Sequence, residues 1–231
     1  MDVKSQQTKL ANNLGRLLRD KFGKGPEAVH VTVKKPFVLV YVRGFISAME
    51  QVLLDQDQEI TVKTTREVLM KTIEPEIRGY IKAITEMEIQ HLYYDWNLQH
   101  QTGMFVGISP EAPLSDNPYD EDFKEKNAVD KEIIQISEQA EKAPESIISY
   151  QLSPRAIIVI REGILVPIEK QLIALGFTET LRVAKRQLEG DLLINNTNLP
   201  SMLNADILDI FVDWNFEMDN SVIIIIVKPK Q

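Results

Sequence analysis

The sequence predicts an α+β fold built twice in tandem: two α-β-β-α-β-β domains, each an antiparallel sheet with helices packed on one face. Three observations carry this. The stretch Tyr94-Asp95-Trp96-Asn97 returns as Val212-Asp213-Trp214-Asn215, with Asp213 standing 118 positions after Asp95 in a chain of 231 residues. The two tryptophans of the chain both sit in this motif. Helical and alternating apolar periodicities then recur in one order on either side of an acidic, proline-containing stretch. These place a first domain at residues 1–109, a linker at 110–130 and a second, divergent copy at 131–231.

Taken in order, Leu10, Leu14, Leu17, Leu18 and Phe22 form one buried stripe of a helix over residues 3–22. Gly23 supplies the left-handed residue that ends it, and Pro26 prevents continuation. Val29, Val31 and Val33 alternate with polar residues as in a half-buried strand. Lys34-Lys35-Pro36 turns the chain into the apolar run Phe37 to Val42, a central strand. Ser47 and Glu50 have the spacing of a capping box and open a helix. A longer helix starts near Glu59 and carries Val62, Val68, Leu69 and Ile73; Pro75 either kinks it or opens a new segment through Ile84. In the strand over 88–96, period-2 geometry puts Leu92, Tyr94 and Trp96 on one face and His91, Tyr93 and Asp95 on the other. A short loop returns into Met104 to Ile108.

From Pro110 to Lys126 the prolines and Asp116, Asp120, Glu121 and Asp122 read as a solvated linker. In the second copy, Ile133, Ile136 and Ala140 mark a shorter helix, and Pro144-Glu145 answers Pro26-Glu27. The strand 156–161 answers 37–42; Gly163 answers Gly44 and Glu169 answers Glu50, each now 119 positions on. A helix over 178–193 follows, its register against Thr64-Thr65-Arg66 left open by a shift of a few residues. Ile207 to Trp214 and Val222 to Val227 form the last hairpin. The run Val222 to Val227 is apolar on both faces. Its second face therefore needs a further layer, from the other half or from another subunit, which makes a homo-oligomer one expectation.

Composition narrows the function. The absence of cysteine excludes disulfides and thiolate metal sites. The N-terminus is polar and lacks a signal-peptide core, and no apolar run approaches the ~20 residues of a membrane span. A cytoplasmic protein without direct membrane insertion is expected. The net charge is −8; residues 1–110 carry 14 basic against 13 acidic side chains, so the excess lies downstream. Without a basic stripe, neither nucleic acid nor an anionic membrane surface is an expected partner.

No constellation specifies a reaction, so catalytic residues, a cofactor and enzymatic activity are not expected. Gly23-Lys24-Gly25 follows a helix instead of preceding one, at its carbonyl-rich negative end, which favours a structural cap over a phosphate cradle. Asp95 and Asp213 invite a catalytic reading, but His91 and Asp95 lie ~13 Å apart along a strand. Each aspartate is expected instead to bond turn amides near Asn97 or Asn215. His30, His91 and His100 lack metal-ligand spacing, and no Gly-x-Ser-x-Gly elbow is present. Arg16, Lys24, Arg43 and Arg66 are the candidates for binding a carboxylate or phosphate, against salt bridges to Glu50, Glu67 or Asp20. Gly23, Gly25, Pro26, Asp95, Trp96, Asp213 and Trp214 are read as a structural signature, the tryptophans as core anchors.

The segments Leu14-Gly15-Arg16, Phe22-Gly23-Lys24-Gly25-Pro26-Glu27 and Gly44-Phe45-Ile46-Ser47, with Glu50 and Arg66, resemble the bacterial MpsC-like family over roughly residues 8–109. The second half is similar in pattern, with Glu141-Lys142-Ala143-Pro144 in place of Gly23-Lys24-Gly25-Pro26 and no counterpart of Gly15-Arg16. The resemblance implies a fused pair, a covalent pseudo-dimer. It also implies association with a sodium-translocating, membrane-potential-generating system linked to inorganic-carbon uptake. The expected function is a non-enzymatic accessory or protein-interaction module whose partner is a membrane transport complex. The alternative is a small-anion or nucleotide sensor binding between the halves through the four basic residues.

Overall fold

A computed structural model describes residues 2–110 and 123–229. The chain divides into two compact units, Met1–Ala112 and Pro113–Gln231. The first contains α1 (Val3–Phe22), β1 (Ala28–Lys34), β2 (Phe37–Arg43), α2 (Ala48–Leu54), α3 (Glu59–Thr85), β3 (His91–Asn97) and β4 (Thr102–Ile108). The second contains α4 (Lys126–Ala140), β5 (Ser146–Ser153), β6 (Ala156–Glu162), α5 (Pro167–Ala174), α6 (Thr178–Ile194), α7 (Asn198–Met202), β7 (Ala205–Asn215) and β8 (Asn220–Pro229). Each unit holds one four-stranded antiparallel sheet, ordered β1-β2-β4-β3 and β5-β6-β8-β7. The tandem α+β architecture read from the repeat is the observed one.

In the first unit the buried stripe of α1 (Leu10, Leu14, Leu17, Leu18) and that of α3 (Val62, Met70, Ile73, Ile77, Ile81) meet Val38, Val40, Val42, Leu92, Tyr94 and Trp96 of the sheet. The period-2 assignment of β3 is therefore correct. The opposite residues Tyr93 and Asp95 are also buried, as are Leu39 and Val106, so the sheet is buried on both sides. The same is true of β8, where Val222 to Val227 are all buried. Gly23 ends α1 at φ 75°. Gly25 lies against Arg19 and the Gly15 carbonyl; a Cβ there would sit 3.0 Å from the Cβ of Arg19. The Ser47–Glu50 capping box forms as spaced.

One device is built identically in both copies. Gly44 has φ +61°, and a Cβ on it would fall 2.4 Å from Cδ of Glu27; Gly163 has φ +64° and meets Cδ of Glu145 at the same distance. These residues leave β2 and β6 in the left-handed region while a glutamate stem crosses their bare α-carbon. Only glycine meets both demands. The Pro-Glu and Gly positions matched in the sequence are two sides of this contact.

Several readings change. Of the two alternatives at Pro75 the restart is set aside, since α3 is one helix with Pro75 inside it, and Val68, at 61% exposure, stays outside its buried stripe. α4 opens at Lys126, so the end of the stretch taken as linker, 110–130, is helix; residues 111–122 lie outside the described residues. The short helix α7 has no counterpart among the elements of the first unit; Asn196 opens it by accepting from the Asn198 and Leu199 amides. β7 is longer than expected, with a register shift between Ile207 and Asp209.

Candidate functional site

The repeated tryptophan stands over a helix cation that is clasped by a glutamate. In the first unit Arg66 of α3 is fully buried. Its Nε and Nη2 donate to the two carboxylate oxygens of Glu50, at 2.7 and 3.0 Å, and Nη2 also reaches the Phe45 carbonyl at 2.9 Å. The guanidinium lies 4.6 Å from the ring of Trp96, 5.0 Å from Phe45 and 5.7 Å from Phe22. Glu50 simultaneously caps α2 by accepting from the Ser47 amide at 2.8 Å. The planar fork matches a carboxylate, and its faces match the aromatic quadrupoles. Burial works to raise the Glu50 pKa, but the bonds and charge of Arg66, with the Ser47 amide, outweigh it and hold the group below the usual range.

In the second unit the cation is Lys185, which stands 119 positions after Arg66, as Glu169 does after Glu50. Its ammonium lies 5.0 Å from the ring of Trp214 and 2.7 Å from Glu169, whose other oxygen accepts from the Val166 amide at 2.9 Å. It also contacts Glu141, next to the end of α4, and stands 3.9 Å from Glu189. The aromatic lining is replaced by charge. Arg161 of β6 and Glu189 of α6, both with no exposed side chain, pair at 2.6 Å. Arg161 also donates to Ser221 and Ser137, at 2.9 and 2.8 Å. Burial first, then the negative charges of Glu189 and Asp219, raise the Glu169 pKa. Burial pushes the Lys185 ammonium down to about 8, against the pull of Glu189 and Asp219.

The predicted site residues separate. Arg66 is the centre of this core arrangement, paired with Glu50 as the competing reading required, but buried instead of lying on the surface. Arg16, Lys24 and Arg43 are exposed. A groove of about 390 Å³ in the first unit is lined by Gln51, Leu54, Asp55, Asp57 and Glu59, an acidic wall containing none of the four basic candidates. Trp96 and Trp214 are core anchors.

The aspartates bond a neighbouring strand amide and two helix arginines. Asp95 accepts from the Trp96 amide at 2.8 Å, and Asp213 is held by Arg182 and, at 3.0 Å, by Arg186. The turn amides go to the asparagines: His100 donates to Asn97 at 3.0 Å, and Glu217 and Met218 donate to Asn215 at 3.1 and 3.2 Å. The asparagine that ends each strand reaches its turn. Among the described residues no group of histidines and carboxylates is arranged to hold a metal ion.

The sequence reading missed Arg161, Lys185 and Glu189. Arg182, Lys185, Arg186 and Glu189 fall at i, i+3, i+4 and i+7 on α6, a charged stripe that periodicity assigns to solvent. The 119-residue offset linking Glu50 to Glu169, continued into α6, is the signal that places Lys185 on Arg66.

A family model described as the Na+-translocating membrane potential-generating system (MpsC) matches residues 3–109 and again residues 125–229. The chain belongs to the MpsC family. Two matches in succession are the tandem arrangement itself, and the second begins next to α4. No curated protein and no solved structure matches the chain. The MpsC copies differ in the cation that faces their tryptophan, arginine in an aromatic box in one and lysine among carboxylates in the other. Among the described residues no helix is long and apolar enough to cross a membrane.

Proposed function

We propose that this MpsC chain is a non-enzymatic accessory module that docks onto a protein component of the Na+-translocating system by which its family is described. The observation that carries this reading is an apolar corner exposed in both copies. Met49 is 77% exposed and Ile168 is 65% exposed. Each is the second residue of the short helix after the central hairpin, α2 and α5. Val52 on α2 and Ile60 at the start of α3 are exposed too, as are Leu175 and Phe177 just after α5. Single exposed apolar residues are ordinary; groups of them at equivalent corners of two diverged copies fit a surface that is covered in an assembly.

The test is affinity purification of the tagged chain from native membranes. Wild type should recover integral subunits of a cation-transport complex. The double variant Met49→Asp, Ile168→Asp should lose them while its stability changes by no more than about 0.5 kcal/mol, as for exposed sites. Recovery of no transport subunit by wild type, or equal recovery by the variant, would refute the reading.

A further inference from the structure

The two cations that face the tryptophans differ in one chemical respect: a guanidinium keeps its proton at any pH a protein survives, whereas a desolvated ammonium can lose it. We propose that Lys185 is a titratable proton-binding site that makes the second unit responsive to pH.

The geometry carries this. Lys185 has a side chain only 4% exposed, and three carboxylates face it: Glu141 from the end of α4, Glu169 from α5 and Glu189 from its own helix. Arg161 of β6 stands behind Glu189, with Ser137 and Ser221 as its other partners. Trp214 of β7 closes the remaining side. Further out, Arg182 and Arg186 bind Asp213, and Lys170 binds Asp219 at 2.7 Å. The ammonium is thus the group that joins α4, α5 and α6 at one point. When its proton leaves, Glu141 and Glu169 face one another across a neutral amine, with Arg161 as the cation remaining beside Glu189. Repulsion and lost hydrogen bonds then act on the C-terminal turn of α4 and the first turn of α5. In the first unit Phe22 and Phe45 line the cation and Glu50 is its carboxylate, so no such change is available. Burial has already brought the Lys185 pKa to about 8, within reach of an alkaline shift.

Each unit contains one tryptophan, and each stacks on the cation concerned. Intrinsic emission therefore reads both sites separately. In the Trp96→Phe variant, Trp214 emission should titrate between pH 6 and 10 with a midpoint near 8. In the Trp214→Phe variant, Trp96 emission should stay flat over that range. The titration should vanish when Lys185→Arg is added to Trp96→Phe. Wild type against Lys185→Arg gives the same difference without touching either tryptophan. Nζ-detected NMR of the intact chain should show one lysine titrating early, missing in Lys185→Arg. A flat Trp214 response, or one unchanged by Lys185→Arg, overturns the proposal.

Discussion

Arg66→Met tests whether the cation beneath Trp96 holds the first unit together. The substitution keeps the volume of the stem but removes a bidentate pair whose arginine is fully buried and whose glutamate side chain is 14% exposed. Breaking a buried pair costs ~3–5 kcal/mol, because the surviving charge has no partner. Glu50 retains the Ser47 amide and slight exposure, which places the expectation at the lower end, about 3 kcal/mol. The Phe45 carbonyl loses its charged donor as well. Urea unfolding, followed by Trp96 emission in a Trp214→Phe background, measures the loss in the unit concerned. Adding Glu50→Gln to Arg66→Met removes the orphaned charge, and a double-mutant cycle should return a coupling of about 1–3 kcal/mol. Arg66→Lys should fall between, since lysine occupies this place in the second copy but cannot form two parallel bonds. A loss below about 1 kcal/mol for Arg66→Met, or no recovery with Glu50→Gln, would show that Arg66 is a spectator.

The other predictions concern the same two cores. Gly44→Ala and Gly163→Ala should each cost about 1–2 kcal/mol from the left-handed backbone alone; Glu27→Ala in the first case, which removes the clashing Cγ, Cδ and Oε2, should relieve the steric part and leave that remainder, as read by thermal unfolding. Lys185→Met should destabilise by ~3–5 kcal/mol at neutral pH by leaving Glu141, Glu169 and Glu189 with Arg161. Glu169→Gln, which keeps an acceptor for Val166, should be neutral or stabilising there; if the order were reversed, the carboxylates would not be in surplus. The two glutamates should respond to acid in opposite senses. Glu50, depressed below its ordinary 4.5, stabilises above that value and loses this as pH falls through its folded pKa, so Glu50→Gln should flatten the acid limb. Glu169, raised above 4.5, stabilises below that value and loses this as pH rises through its folded pKa, so Glu169→Gln should gain stability towards neutrality.

The sequence by itself determined the repeat, the order of elements and most of their bounds. These are local matters: a leucine spacing on α1, alternation in β1, a serine three residues before a glutamate, a glycine where the backbone must turn left-handed. It also determined that Trp96 and Trp214 face inward, because period 2 along a strand leaves no other choice once Leu92 and Tyr94 do. Tertiary structure decided the rest. Arg66 read as a ligand-binding candidate, and nothing singled out Arg161, Lys185 and Glu189, since charge is normally left in water. They are buried because partners distant in the chain converge on them, Glu50 on Arg66 and Glu141, Glu169 and Ser221 on the α6 cluster. The desolvation of a charge is offset by a neighbour that periodicity cannot see, and only the folded chain brings that neighbour within 3 Å.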